Sequence, residues 1–294
     1  MNKTLIVCNP ISGGGRGRKR GVQLEQRLRL AGREFESFVT ERAGDARRRA
    51  ATVEADVDRI VVIGGDGTLN EVLNGLRDPS RVPITQLATG TANLLAHDLR
   101  LPFRAEGMGR LLDDGSIRYV DMGQAGDRRF LLVVSAGFDA MVTHEAQRGR
   151  SGPSGYLSWI VPTIRTLRGY RPPNLEVKVD GGPSVRGELV IVSNVRNYGG
   201  IFTVADRASC DSGHLDVCVL KRASLPGLAR AAFSGLTGGL SSSPGVVYLT
   251  GRRIELDADR PVPVELDGDP FGTTPVEIEL TPRCVPVVVP AFPV

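Results

Sequence analysis

Two hydrophobic rhythms divide the chain. Up to about residue 122, short continuous apolar runs alternate with stretches whose apolar residues return every three or four positions. Leu5–Cys8 and Ile60–Ile63 are runs of the kind that fill strands covered on both faces of a parallel sheet, and each closes on a glycine-rich turn. Leu24, Leu28 and Ala31, then Ala46, Ala50, Val53 and Val57, then Leu69, Val72, Leu73 and Leu76 carry helical spacing. The expected arrangement is βαβα around a parallel sheet. From about residue 123 the runs shorten and alternate with polar residues: Leu131–Val134, Leu175–Val179, Leu189–Val192, Leu215–Val219, Ile254/Leu256, Val262/Val264/Leu266 and Val276/Ile278/Leu280. That is the signature of antiparallel strands, interrupted by helical segments around Tyr156–Leu167 and Leu225–Phe233. The expected domains are an α/β domain over 1–122 and a β-rich domain over 123–282. The last apolar run, within 283–294, is expected to return to the first domain, and its flanking prolines mark it as an edge element.

Composition narrows the class. The 294 residues are 41% hydrophobic and 24% charged, and no apolar run approaches the ~20 residues of a spanning helix. The N-terminal stretch has no signal-peptide character, so a cytoplasmic chain is expected. Cys8, Cys210, Cys218 and Cys284 form no C-x-x-C pair, and with three histidines they give neither zinc spacing nor a disulfide framework. The first 50 residues hold twelve Lys/Arg against five Asp/Glu, +7 where the whole chain is +4, leaving −3 for the rest. Such a basic pole fits nucleic acid, an anionic membrane surface or phosphates, or is a solvated helix face. The 36 glycines, roughly 12% against ~7% on average, cluster beside apolar runs, and no repeat period is visible.

The chemistry concentrates at Ile60–Glu71, a strand, a Gly64-Gly65-Asp66-Gly67-Thr68 turn and a helix. Glycines let backbone come close to a ligand, and the first-turn N–H groups of a helix favour an anion, so phosphate is the natural occupant. The plain alternative is an ordinary strand-to-helix turn. Asp66 within an anion site calls for a cation, which points to Mg2+ with a nucleotide. Neither G-x-x-x-x-G-K-[ST] nor a helix-opening G-x-G-x-x-G is present. Asn9-Pro10-Ile11-Ser12-Gly13 and Thr89-Gly90-Thr91-Ala92-Asn93 supply two more polar turns after apolar segments, and in a parallel sheet all three lie at the carboxyl edge, where ligands bind.

These blocks, followed by Ala136-Gly137-Phe138-Asp139-Ala140 and Asp267-Gly268-Asp269, occur in the order seen in the diacylglycerol kinase catalytic-domain family, which includes bacterial lipid kinases and sphingosine kinases. The chain resembles that family over nearly its whole length. The resemblance implies an N-terminal α/β domain similar to NAD kinases and phosphofructokinases and a C-terminal β-sandwich. It also implies ATP-dependent phosphorylation of a lipid hydroxyl. Asn9, Pro10, Ile11, Ser12, Gly13, Thr40, Gly64, Gly65, Asp66, Gly67, Thr68 and Thr91 correspond to ATP-contacting positions, with Asn70, Glu71, Gly90 and Asn93 completing the set. Asp66 and Asp121 correspond to the residues that organise Mg2+. The general base is expected at Asp269, supported by Asp267, where the family carries Asp-Gly-Glu; here an aspartate shortens the reach by one methylene.

Two further departures stand out. Leu94 occupies an aspartate position of the metal and water network, and Ser212 replaces a carboxylate in a loop similar to a structural Mg2+ site, leaving that site dependent on Asp211. Asp211 and Asp216 also read as plain turn residues. His97 and His214 read as surface or helix-end residues. Arg16, Arg18, Lys19 and Arg20, with Arg47, Arg48 and Arg49, are either solvated or meet phosphates or headgroups, and Arg148, Arg150, Arg165 and Arg168 around Tyr156 and Trp159 form a second interfacial candidate. The expected partners are a lipid substrate at a membrane surface, reached by peripheral association, and a second copy of the chain in a homodimer; nucleic acid is not expected. A kinase for a soluble acceptor such as NAD and a catalytically silent sensor of nucleotide or lipid are the alternatives.

Overall fold

A computed structural model describes residues 3–148 and 156–291. Two compact units are present: residues up to 120 together with those from 283 on, and residues 121–282.

The first unit runs β1 (Lys3–Cys8), α1 (Ser12–Leu30), β2 (Phe35–Val39), α2 (Asp45–Ala51), β3 (Val57–Gly64), α3 (Asp66–Gly75), β4 (Ile84–Ala88), α4 (Leu94–Asp98) and α5 (Ala105–Asp114), after which β5 (Ser116–Ala125) leads into the second. Its strands lie in the order β2-β1-β3-β4, all parallel. Leu5, Ile6, Val7 and Ile60 through Ile63 are wholly buried, as strands covered on both faces require. β2 escaped the sequence reading because, as the edge strand, it is half-exposed and shows no continuous apolar run. The spacing that carried a helix through Val53 and Val57 misleads: α2 stops at Ala51, the chain turns, and Val57 opens β3.

The second unit contains β6 (Arg128–Phe130), β7 (Val133–Ala136), α6 (Phe138–Arg148), a 3-10 turn at Tyr156–Trp159, α7 (Ile160–Gly169), β8 (Leu175–Val179), β9 (Val185–Gly187), β10 (Leu189–Ser193), β11 (Asn197–Tyr198), β12 (Phe202–Thr203), β13 (Leu215–Leu220), α8 (Leu225–Leu236), β14 (Val246–Gly251), β15 (Arg253–Ala258), β16 (Pro263–Leu266), β17 (Asp269–Thr273) and β18 (Val276–Val289). The antiparallel order β14-β13-β10-β7-β16-β17 forms one layer. β9, β8, β15 and the first half of β18 form the other. Val134, Val190, Val217 and Val264 from the first share one core with Leu175, Val177, Ile254, Leu256 and Ile278 from the second, so the unit is an antiparallel β-sandwich.

The end of β18 corrects the edge expectation. Val285 and Val287 are wholly buried, Val287 pairs in parallel with Ile84 of β4, the Thr85 hydroxyl donates to the Val288 carbonyl, and β5 is a further partner of the strand. Proline removes one N–H and leaves the carbonyls and apolar side chains of its neighbours in place, so flanking prolines did not confine this segment to an edge.

Candidate active site

Apart from Asn70 and Glu71, which lie inside α3, every cofactor-binding position read from the sequence falls at or just beyond the carboxyl end of β1, β2, β3 or β4, the edge at which open parallel sheets bind ligands. The turns interlock. The Asn9 side-chain amide donates to the Thr68 hydroxyl at 3.3 Å, and the Asn9 side-chain carbonyl accepts the Ile11 N–H. The Thr89 hydroxyl donates to Ser12 Oγ at 2.9 Å, and the Thr89 N–H to the Gly64 carbonyl. Asn93, left-handed at φ 49°, closes its own turn by accepting the Gly90 N–H and donating to the Gly90 carbonyl. Gly65 and Gly90 are glycines because the turns touch there: a Cβ on Gly90 would stand 2.5 Å from the Gly65 Cα. Gly14, Gly15 and Gly67 differ, since a Cβ on any of them would meet nothing within 4 Å.

Helix α3 starts at Asp66 with no side chain capping its N-terminus. First-turn N–H groups with no such cap, beside glycines facing open space, suit the phosphates of a nucleotide. The Asp66 carboxylate receives the N–H of Leu94, the departure from the family's aspartate, at 3.2 Å. Thr40 is buried and its N–H donates to the Cys8 carbonyl. Asn70 and Glu71, read as cofactor-binding, have other partners: the Asn74 side-chain amide donates to Asn70, and Glu71 accepts the Gly44 N–H at 2.9 Å, holding the start of α2. The arginine run of α2 divides, with Arg47 and Arg48 exposed and Arg49 buried. Arg49 is buried between Glu36 and Glu54, and Arg48 pairs with Asp45. Arg20 donates to the Ala88 carbonyl.

In the second unit Asp267 and Gly268, at φ 51° and 85°, form the two-residue connection between β16 and β17. Two successive positive φ values are what a tight hairpin of this hand demands, and Asp-Gly supplies them. The Asp267 carboxylate accepts the N–H groups of Leu131, Leu132 and Val133 at 3.0–3.1 Å. Asp269 is part-exposed; Arg128 donates to one oxygen and Gln147 to the other, both at 3.3 Å. Beneath the hairpin lies a polar group that the sequence reading missed. Glu265 is wholly buried, accepting the Ser135 hydroxyl at 2.9 Å and the Gly268 N–H at 2.7 Å, while Tyr198 donates to Asp139 at 2.8 Å. Burial pushes both carboxyls up, Glu265 well above its ordinary value. The signal was present: Ser135 and Glu265 interrupt otherwise apolar strands.

Comparison with known proteins decides the family. Residues 3–125 match the diacylglycerol kinase catalytic domain, and residues 132–289 the YegS C-terminal NAD kinase beta sandwich-like domain. The chain belongs to the diacylglycerol kinase catalytic-domain family. Among its relatives are a diacylglycerol kinase of Bacillus subtilis (strain 168), 29% identical over 99% of this chain and 97% of that protein, and one of Staphylococcus haemolyticus (strain JCSC1435), 26% identical over 97% and 87%. The crystal structure of a diacylglycerol kinase from Bacillus anthracis str. Sterne shares the fold, with a TM-score of 0.75 at 23% identity, covering 99% of this chain and 97% of that one.

Within this kinase family the metal positions take particular forms here. Asp121 is wholly buried in the second unit, where its carboxylate accepts the Gly213 N–H at 2.7 Å. It thereby organises the loop that resembles a structural Mg2+ site. In that loop Asp211 accepts the Ser209 hydroxyl at 2.6 Å, and the Ser212 hydroxyl donates to the His214 carbonyl. Asp216, read as a turn residue, is buried in β13; burial raises its carboxyl above the ordinary value while the Tyr248 hydroxyl donates to it. Among the described residues no group of three His, Cys, Asp or Glu side chains could hold a metal ion. Mg2+ needs no such cage beside a nucleotide, since one or two carboxylates with phosphate oxygens and water suffice; the carboxylate at the α3 turn is that of Asp66. Of the second arginine patch, Arg150 and the side chain of Tyr156 lie outside the described residues. Arg148 and Arg165 line a cavity of ≈280 Å³ with Met141, His144 and Pro263, and both pair with Glu145. Among the described residues no helix is long and apolar enough to cross a membrane.

Proposed function

We propose that this kinase transfers the γ-phosphoryl group of ATP to the hydroxyl of a diacylglycerol-like lipid. One observation carries the nucleotide half of the reading: the N-terminus of α3, with no side-chain cap, opens at Gly67, where a Cβ meets nothing. Phosphoryl transfer asks the protein for positioning and charge neutralisation more than for covalent chemistry. Backbone N–H groups of residues 65–67 hold phosphate oxygens in fixed positions. The Asp66 carboxylate, which accepts the Leu94 N–H, would hold the cation that accompanies them. Bound Mg2+ supplies neutralisation of charge developing on the β- and γ-oxygens. Asp121, through Gly213, keeps the 208–214 loop in place.

For the acceptor, Asp269 takes the hydroxyl proton. Its oxygens are held by Arg128 and Gln147, and it stays part-exposed, as a base open to substrate must. Asp267, whose oxygens accept three N–H groups, fixes the hairpin that presents it. The lipid-name relatives and the sandwich domain support a lipid acceptor over a soluble one.

The test is γ-labelled ATP with Mg2+ and a total lipid extract. Label in the organic phase is the expected result, and label in the aqueous phase alone would move the acceptor to a soluble molecule. In Asp269→Asn the transfer rate should fall by roughly 10²- to 10⁴-fold, the usual worth of a positioned base, with ATP affinity unchanged. Near-full activity would remove Asp269 from that role.

A further inference from the structure

Helix α8 is packed inside out. Its buried residues are Gly227 and Gly235, while Leu225, Phe233 and Leu236 are 57%, 68% and 59% exposed. With Ala229 and Ala232, also exposed, these follow the 225, 229, 232, 233, 236 spacing of a single helical face. Gly235 lies against Phe202, where a Cβ would stand 3.3 Å from the ring, so Ile201 of the β11–β12 connection, itself 53% exposed, adjoins the same end of the helix. A helix that buries glycine and shows Leu and Phe to water is held outward for something to cover.

The surrounding charge selects what covers it. From Val217 to Ile254 the sequence contains no Asp or Glu, while Lys221 and Arg222 precede the helix and Arg230 sits on it, all three exposed. The acids that reach this region are engaged with its backbone and hydroxyls: Glu188 accepts the Ala223 N–H, and Asp206 the Ser241 hydroxyl. A second copy of the chain across a two-fold axis would set Lys221, Arg222 and Arg230 against themselves. A bilayer with anionic headgroups offers both an apolar interior for Phe233 and Leu236 and counter-charge for the basic residues, the pattern of an interfacial helix. Helix α7 also exposes Ile160, Val161 and Ile164, but the arginines beside it share Glu145.

We infer that the outward face of α8, with Ile201 beside it, docks the protein onto an anionic lipid surface. The inference rests on the lipid-kinase reading for its purpose and not for its physics. The experiment is co-sedimentation of the full chain, without ATP, with vesicles of phosphatidylcholine alone or mixed with phosphatidylglycerol. The wild type should bind the mixed vesicles more tightly, and Phe233→Asp and Arg230→Glu should each weaken that binding, the former by roughly tenfold. Phe233→Asp should keep its thermal midpoint and its ATP affinity. Equal binding by wild type and Phe233→Asp overturns the inference. So does self-association in sedimentation velocity that Phe233→Asp abolishes, which would make a second copy the occupant. Transfer to a short-chain diacylglycerol in detergent by a wild type that ignores vesicles sinks the docking face and spares the kinase reading. Vesicle binding lost in Phe233→Asp, with no transfer to any lipid by the wild type, supports the face and sinks the kinase reading.

Discussion

Helices α3 and α8 are both amphipathic and of similar length, yet they spend their apolar faces in opposite directions. In α3 the large residues Leu69, Val72 and Leu73 are buried and the N-terminus is left open. In α8 the buried positions are glycines, Leu228 is half-buried, and Leu225, Phe233 and Leu236 are exposed. Hydrophobic spacing is the same statement in both sequences: it fixes which residues share a face, not whether that face looks inward. What separates the two is the other side of the wheel. The side of α8 away from Leu225, Phe233 and Leu236 is mostly Gly, Ala and Ser, with Gly235 close on Phe202, whereas α3 packs its large residues inward beside α2.

Mutations should break this symmetry most visibly in stability. Leu73→Ala, emptying a wholly buried position, should cost about 2–5 kcal/mol in denaturant unfolding, while Leu236→Ala should cost under about 0.5 kcal/mol. Comparable losses at both would mean that α8 is packed in solution.

The buried acids of the sandwich sharpen the contrast through pH. Because burial raises the Glu265 carboxyl above its ordinary 4.5, the folded state binds that proton more tightly than the unfolded chain does. Its contribution is therefore full below about pH 4.5 and declines as pH rises through the raised folded value. Glu265→Gln should flatten this decline, and the gain in stability relative to wild type should grow towards alkaline pH. An unchanged pH slope would show that Glu265 is not what titrates. The smallest effect is expected at Gly235→Ala, where helix propensity gains up to ~1 kcal/mol and the 3.3 Å approach to Phe202 opposes it, leaving a net change within about 0.5 kcal/mol.

The strands were legible where burial is two-sided. β1 and β3 announce themselves as apolar runs, and the glycine turn at 64–68 is written in the residues. The half-exposed edge strand β2 had no such run to show. Helix α2 was read too long because Val53 and Val57 fall by chance on the spacing of Ala46 and Ala50. Within the candidate site, Asp66 and the three turns were visible as local motifs, since a turn's chemistry is contiguous in sequence. The partners of Glu71, Arg49 and Asp267 were not: Gly44, Glu36 with Glu54, and the N–H groups of residues 131–133 are brought in from 5 to 136 positions away. Glu265 under the Asp267-Gly268 turn is the missed residue with a readable signal, a charge inside an apolar strand.

The nucleotide reading depends on the open space in front of α3, and Gly67 probes that space without touching the core. Titration calorimetry of ATP with Mg2+ into the wild type and into Gly67→Val is the most direct measurement. The account predicts binding to the wild type and at least a roughly tenfold loss in Gly67→Val, with its thermal midpoint retained because a Cβ there meets no protein atom within 4 Å. No heat with the wild type, or equal affinity in the two, would contradict it.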